Sequence, residues 1–452
     1  MTSSDSTSRM CRILCILAGF FGAVLAAILS VSGLTAGLGN VLHAFFWMLI
    51  ILLCCGVVLL KWPLFSRPAH TGLALLGIYF ALCLRISLFD YISGDYTSFL
   101  SHWVSSMRGM GAGAALSTPI GDYNMPYLYL LLLISRLPFY DLYCIKIFSV
   151  IADAAAALGL AYLAKHFTAK DTVPLFVLLA ALFSPTTWLN SAYWGQCDSV
   201  YGALAIWGLY CGFRKKSWQC YLLFALSLSF KLQSVFLLPI LAFLLVCQMI
   251  RLRDIWVFPA AFMGVTVPAL LGGRSLANTF SIYLGQTQSY PYLTLSAPSF
   301  WSLIGNNYYD NFAQGAVLLA LCLTVFAIVY FLIHASALQS RELLALGLIF
   351  SLMIPWLLPK MHERYFYLAE MLSLCYAALY PRRLHVPVIL MTGGFLSYHL
   401  YLFGGTGILS LELAAAIYGL LLLYLVLELH LTLKNRIGTL SVPEGGNDYE
   451  KP

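Results

Sequence analysis

The sequence predicts an all-α polytopic membrane protein of about 11–14 transmembrane helices, with two long extracytoplasmic loops. Three observations carry that prediction. Of the 452 residues, 61% are apolar and only 10% are charged, whereas a soluble domain carries roughly 25% charged residues. Apolar runs near the ~20 residues that a helix needs to cross hydrocarbon recur along the whole chain. Basic residues gather in short clusters between those runs, as the Lys/Arg bias of cytoplasmic loops requires. A soluble globular enzyme, a disordered chain and a small disulfide scaffold are excluded.

Taken in order, residues 1–10 are polar and Ser-rich and read as a cytoplasmic tail. The run 11–31 is too long for a signal-peptide core and reads as the first membrane helix. Further apolar stretches fall at 43–61, 71–89, 144–164, 172–189, 199–213, 219–231, 232–249, 255–272, 313–335, 342–357, 366–380, 386–402 and 410–432. Counted from a cytoplasmic N-terminus, the clusters around Arg9, Lys61, Lys165, Lys215, Arg251, Arg382 and Lys434 all land on the cytoplasmic side. The net charge of +7 therefore sets orientation and does not indicate nucleic acid. Residues 127–137 (YLYLLLLISRL) are apolar but half a crossing long and precede Pro138, so they read as a re-entrant or tilted segment packed on protein. A membrane domain thus spans 11–435, followed by a cytoplasmic tail, 436–452, that is polar and disordered in character. The twelve cysteines show no CxxC pair and mostly sit in apolar runs, as small buried hydrophobes do.

Two outer loops, 90–126 and 273–312, exceed the usual length of a helix connection, and loops of that length are commonly functional. Charged residues are scarce enough for their positions to be informative. The first loop carries Asp90 and Asp95 in FDYISGDYTSFLSHW, then Asp122 and Tyr123 in IGDYNMPY. The outer end of the 172–189 span continues into NSAYWGQCDSVY, with Trp194, Gln196 and Asp198. SFKLQS supplies Lys231 and Gln233, and PKMHERYFY supplies Lys360, His362, Glu363 and Arg364. Charge counting puts all four clusters on one side of the membrane. Carboxylates can take a proton from a hydroxyl, and the cations can hold an anion such as phosphate. Together they suit attack of a hydroxyl on a carbon whose leaving group is a phosphate, with the lipid half of the substrate between the helices.

Each cluster also has a plainer reading. Asp95 can cap the helix that begins at Thr97 and Ser98, and Asp122 can belong to a turn before a membrane segment. Trp194 can anchor at headgroup level, and HERYFY can form a snorkelling belt. Asp153, inside KIFSVIADAAAA, reads as a buried structural partner, with Lys146 about two helical turns and ~10 Å away.

The ordered series GDYTSFLSHW, YNMPYLYLL, SAYWGQCDSVY, FKLQSVFLLP, APSFWSL and PKMHERYFY, across residues 90 to 370, resembles the GT-C superfamily of membrane glycosyltransferases. The resemblance is closest to bacterial proteins related to the GPI-anchor second-mannose transferase. It implies a GT-C-like bundle in a bacterial plasma membrane, with the active site outside the cytoplasm. The activity implied is inverting transfer of a hexose, mannose by expectation, from a polyprenyl-phosphate-linked donor to a glycan, glycolipid or protein acceptor. It carries the catalytic carboxylate onto Asp95 and a second acidic position onto Asp198. Lys231 with Gln233, and His362 with Arg364, match positions near the donor phosphate. Asp122 and Asp198 would orient sugar hydroxyls or hold a divalent cation, and no cofactor is required. The chain departs from the family where its usual Asn before the second-loop Trp becomes Ser299-Phe300, and the first loop lacks an adjacent acidic pair. The alternatives are a lipid-linked-sugar flippase or other transporter, whose charges would sit near the midplane of repeated halves, and a non-catalytic envelope scaffold.

Overall fold

In hydrocarbon every backbone N–H and C=O has to find a partner within the chain, and helices supply one locally. The computed structural model describes residues 36–285, 291–404 and 409–440, and it is helical almost throughout. Among the described residues, eight helices are long and apolar enough to cross a membrane: Gly39–Lys61, Pro68–Ile86, Asp141–Phe167, Leu252–Leu271, Asn306–Ile333, Ser340–Leu357, Pro381–Phe403 and Leu411–Ile437. Thr172–Phe183 and Pro185–Trp194 form a ninth if read as one span bent by 46°. The protein is an integral, multi-spanning membrane protein with an all-α, GT-C-like bundle. The expected span at 11–31 and the tail beyond residue 440 lie outside the described residues, while the last helix runs on to Leu440.

Spanning-length helices are fewer than the apolar runs because several runs are interrupted. Asp198–Phe213 has 16 residues, Ser217–Phe230 has 14 and Tyr367–Leu379 has 13. The 232–249 run breaks into a 3-10 turn, Leu232–Phe236, and a seven-residue helix, Ile240–Val246. The half-crossing segment is an eleven-residue helix, Met125–Ser135, begun by Pro126 in its first turn. Each break leaves backbone groups that need protein rather than lipid around them.

Asp141–Phe167 is the central post and is buried along most of its length. Its Ala154–Ala157 run and Gly159 are small and let neighbours approach closely. Arg85 reaches Asp153 of this helix at 2.7 Å and also donates to the Ala81 and Leu182 carbonyls, while Ser191 donates to the same Asp153 oxygen. The structural partner of Asp153 is therefore Arg85. In contrast, Leu252–Leu271 and Asn306–Ile333 are mostly turned outward, with apolar side chains such as Leu271 and Phe326 placed for lipid. Cys54 and Cys322 are likewise exposed, whereas Cys55, Cys144, Cys197, Cys211, Cys220 and Cys375 are buried, and no described cysteine is disulfide-bonded.

One end of the bundle is fastened by simple ionic staples. Asp171 accepts from the Ser66 and Arg67 amides at 2.7 and 3.1 Å and from Lys165 at 2.8 Å. Those bonds, Lys165's first, hold its carboxyl below the usual carboxylate range. Arg436 pairs with Glu342 at 2.9 Å, and Glu342 closes a capping box with Gln339. At the opposite end, two parallel two-residue strands, β1 (Thr294–Leu295) and β2 (Met361–His362), tie the second long loop to the HERYFY segment.

Candidate active site

The first wall of the site begins where the chain leaves Pro68–Ile86. Lys146, fully buried on Asp141–Phe167, donates to the carbonyls of Leu88, Phe89 and Tyr91 at 3.2, 2.8 and 2.7 Å. Tyr143 donates to Asp90, Tyr91 stacks on Tyr193 at 3.6 Å, and Ser93 donates to the Trp194 carbonyl at 2.8 Å. The strand of chain is thus fixed before it reaches Asp95, which opens a π-turn, Tyr96–Leu100, leading into Ser101–Arg108. Asp95 makes no side-chain cap. Its Oδ2 accepts from Trp194 Nε1 at 3.1 Å and Gln196 Nε2 at 2.5 Å, and its Oδ1 accepts from the Tyr401 hydroxyl at 3.2 Å.

Trp194 and Gln196 reach one carboxylate because of the residue between them. The bent span ends in a π-turn, Leu189–Trp194, which Gly195 stops at φ 85°, a left-handed conformation that costs a Cβ-bearing residue roughly 1–2 kcal/mol. The Gln196 amide then closes back on the Asn190 carbonyl at 2.8 Å. Two residues on, Asp198 starts Asp198–Phe213, where the helix N-terminus favours its charge. Asp198 is fully buried, bonded by Lys231 at 2.5 Å and by Asn190 at 2.8 Å, with Arg364 Nε 3.6 Å away. Lys231 is available there because the chain at that residue is extended (φ −152°, ψ 132°) between two helical segments.

The opposite wall is the 360–364 segment. Lys360 sits at φ 63°, a strained conformation for a non-glycine residue, held by its amide bond to Leu293 at 2.8 Å and by β2 immediately after it. Its ammonium lies 5.1 Å above the Tyr309 ring. Glu363 is fully buried and accepts from Arg364 at 2.7 Å, and the Arg364 guanidinium lies 4.9 Å above the Trp194 ring. Asp198, Lys231, Glu363 and Arg364 form one buried group of two negative and two positive charges. Burial, with Arg364 nearby, pushes the His362 pKa below its ordinary value.

These pieces enclose a cavity of about 850 Å³. Its polar lining includes Asp95, Asp122, Tyr123 and Gln196, the cations Lys231, Lys360 and Arg364, and Gln233 and His362. Trp194, Asp198 and Glu363 stand behind the lining and support it. Phe230, Leu232, Phe236, Ala313, Val317 and Leu358 complete it with apolar surface. Asp122 lies in the turn the sequence suggested, after Gly121 at φ 74°, and it also lines the cavity, where the protein crowding around it raises its carboxyl pKa. Tyr123 donates to Gln196 at 3.1 Å.

Three plain readings are corrected by this geometry. Trp194 is 1% exposed, so it is no headgroup anchor. Glu363 and Arg364 turn inward to each other and toward Asp198 rather than snorkelling. The Asp95 carboxylate bonds across the site rather than to its own helix. Asp90 bonds Tyr143 and does not line the cavity. Among the described residues no three His, Cys, Asp or Glu side chains gather as metal ligands.

Sequence reading missed Tyr401, Tyr398 and Asn190. Tyr398 accepts from Asn190 at 2.8 Å and packs edge-on to Trp194, whereas Tyr401 stacks on Trp194 at 4.8 Å. A signal existed: two tyrosines three apart on an apolar helix, and an Asn at the very end of an apolar run, eight residues before Asp198.

No curated protein matches the chain. The model of Glycosyltransferase family 87 does, over residues 123–358, just over half of it, including Tyr123, Trp194, Gln196, Asp198, Lys231 and Gln233. The walls on either side, Asp95 and 360–364, fall outside the matched stretch. A membrane helix bundle with a polar cavity assembled around that stretch is what a glycosyltransferase of the GT-C superfamily requires, and the chain belongs to glycosyltransferase family 87.

Proposed function

We propose that the protein is an inverting hexosyltransferase that takes its sugar from a polyprenyl-phosphate carrier and passes it to an acceptor hydroxyl on the extracytoplasmic face of a bacterial plasma membrane. The observation that carries this reading is the pairing, within one cavity, of a carboxylate held by neutral donors with a cationic wall. Asp95 takes the acceptor's proton as general base, a contribution of roughly 10²–10⁴-fold. The acceptor oxygen bonds the anomeric carbon from the face opposite the carrier, and the carbon–oxygen bond to phosphate breaks. The phosphate keeps the electron pair and needs no proton. Lys360 meets its charge, Lys231 and Arg364, already paired with Asp198 and Glu363, add N–H donors, and His362, neutral because its pKa is lowered, supplies a hydrogen bond. No step runs through a metal ion.

Asp122 and Gln196 orient sugar hydroxyls. The apolar lining, with Val235 and Val317 exposed at its edge, receives the first units of the carrier. Mannose is the sugar expected from the resemblance, and the acceptor is a glycan, glycolipid or protein. The test supplies full-length protein in vesicles with radiolabelled polyprenyl-phosphate mannose, glucose, galactose or rhamnose and a membrane lipid extract as acceptor source. Label appearing in a larger glycan with inverted anomeric configuration is expected. Intact carrier moved across the bilayer without transfer would overturn the reading in favour of a flippase.

A further inference from the structure

We propose that Tyr401 is a positioning residue for Asp95, through which the C-terminal part of the chain completes the base. The proposal rests on reading Asp95 as the proton acceptor. A carboxylate offers about four lone-pair positions, two on each oxygen. Trp194 and Gln196, both buried, occupy Oδ2. Those two bonds hold the carboxylate through one oxygen only, and since the terminal torsion is broad for Asp, a third donor on the other oxygen narrows it further. Tyr401 meets the other oxygen, Oδ1, at 3.2 Å, and is itself 45% exposed and part of the cavity lining. On this reading Oδ1 is the oxygen that an incoming hydroxyl meets, and the Tyr401 bond takes one of its two lone pairs and leaves the other to the hydroxyl.

The ring of Tyr401 has its own support. It stacks on Trp194 at 4.8 Å and 29°, and Trp194 is held on its other sides by Tyr398 and Arg364. Removing the hydroxyl alone thus leaves the aromatic contact in place, which makes Tyr401→Phe a clean probe. Tyr401 lies outside the stretch that the family model matches, so this contact belongs to the chain's own C-terminal region.

The experiment is a double-mutant cycle on full-length protein, using radiolabelled polyprenyl-phosphate mannose and a membrane lipid extract, with thermal unfolding followed in parallel. Tyr401→Phe is expected to lower kcat about tenfold, the scale of one hydrogen bond to a charged group. Donor KM stays within about twofold and the unfolding temperature is unchanged. In an Asp95→Asn background the same substitution costs nothing further, because the residue it acts through is already lost. Equal losses in both backgrounds would overturn the proposal, as would a loss confined to donor KM or full activity in Tyr401→Phe. Normal turnover of Asp95→Asn by itself would remove the base, and the role of Tyr401 with it.

Discussion

Asp95 and Asp198 are both carboxylates at the same end of the bundle, but their surroundings differ in kind. Asp95 is half-buried, bonded by an indole, an amide and a phenol, with one oxygen toward the cavity. Asp198 is fully buried between the ammonium of Lys231 and the guanidinium of Arg364, and Glu363 balances the second cation. Neutral donors orient a carboxylate and leave it charge and a lone pair for a substrate proton. Two cations consume that charge, and the carboxylate then holds the cations in place. On the proposed function, the first acid is the one that reacts and the second the one that holds the cations.

The contrast can be broken most severely at Asp95. Asp95→Asn should lower transfer by roughly 10²–10⁴-fold with unchanged thermal unfolding, measured by radiolabelled-sugar incorporation. Asp198→Ala should act on stability as well. It leaves the mostly buried Lys231 without its carboxylate, and unfolding should show a loss of about 3–5 kcal/mol, much of which a second change, Lys231→Met, should restore. If Asp198→Ala unfolds like the parent, the scaffold role is wrong. Lys360→Ala removes a cation from the cavity wall without breaking the buried group, so donor KM should rise about tenfold and kcat should fall too, because the leaving phosphate gains charge as the bond breaks. Gly195→Ala strains the turn that aims Trp194 and Gln196, at about 1–2 kcal/mol of stability and with a matching fall in kcat. Smallest of all is a pH effect. Because the His362 pKa is lowered, the imidazole stays neutral as pH falls through 6.5, and donor KM should be level there. A donor affinity that climbs on acidification through that value would mean that His362 binds phosphate as a cation.

How much of this was legible beforehand depended on range. The membrane class follows from apolar runs and from where Arg and Lys sit, both local properties. The residues of WGQCD, FKLQ and HERYFY stood out because a charge is costly in an apolar chain. Their roles did not stand out. Trp194 also admitted a reading as an interface anchor, and only its burial beneath Arg364 and Tyr401 decided otherwise. Lys146 read as a distant neighbour of Asp153, yet it grips the turn that leads to Asp95. The junction at Lys231 was legible as the boundary between the 219–231 and 232–249 runs, but an apolar run does not reveal that a lysine at its end has a buried partner 33 residues earlier.

The sequence by itself determined that the chain lives in a bilayer, that helices carry it, and which scarce charged residues had to be accounted for. Those facts rest on the transfer energies of single side chains and on hydrogen bonds within one segment. The tertiary structure alone decided that Asp95 meets Trp194, Gln196 and Tyr401, that Asp198 is spent on two cations, and that residues 95 and 364 face one cavity. Such pairings join groups up to 306 residues apart. Their energy depends on burial and distance, which no local pattern encodes.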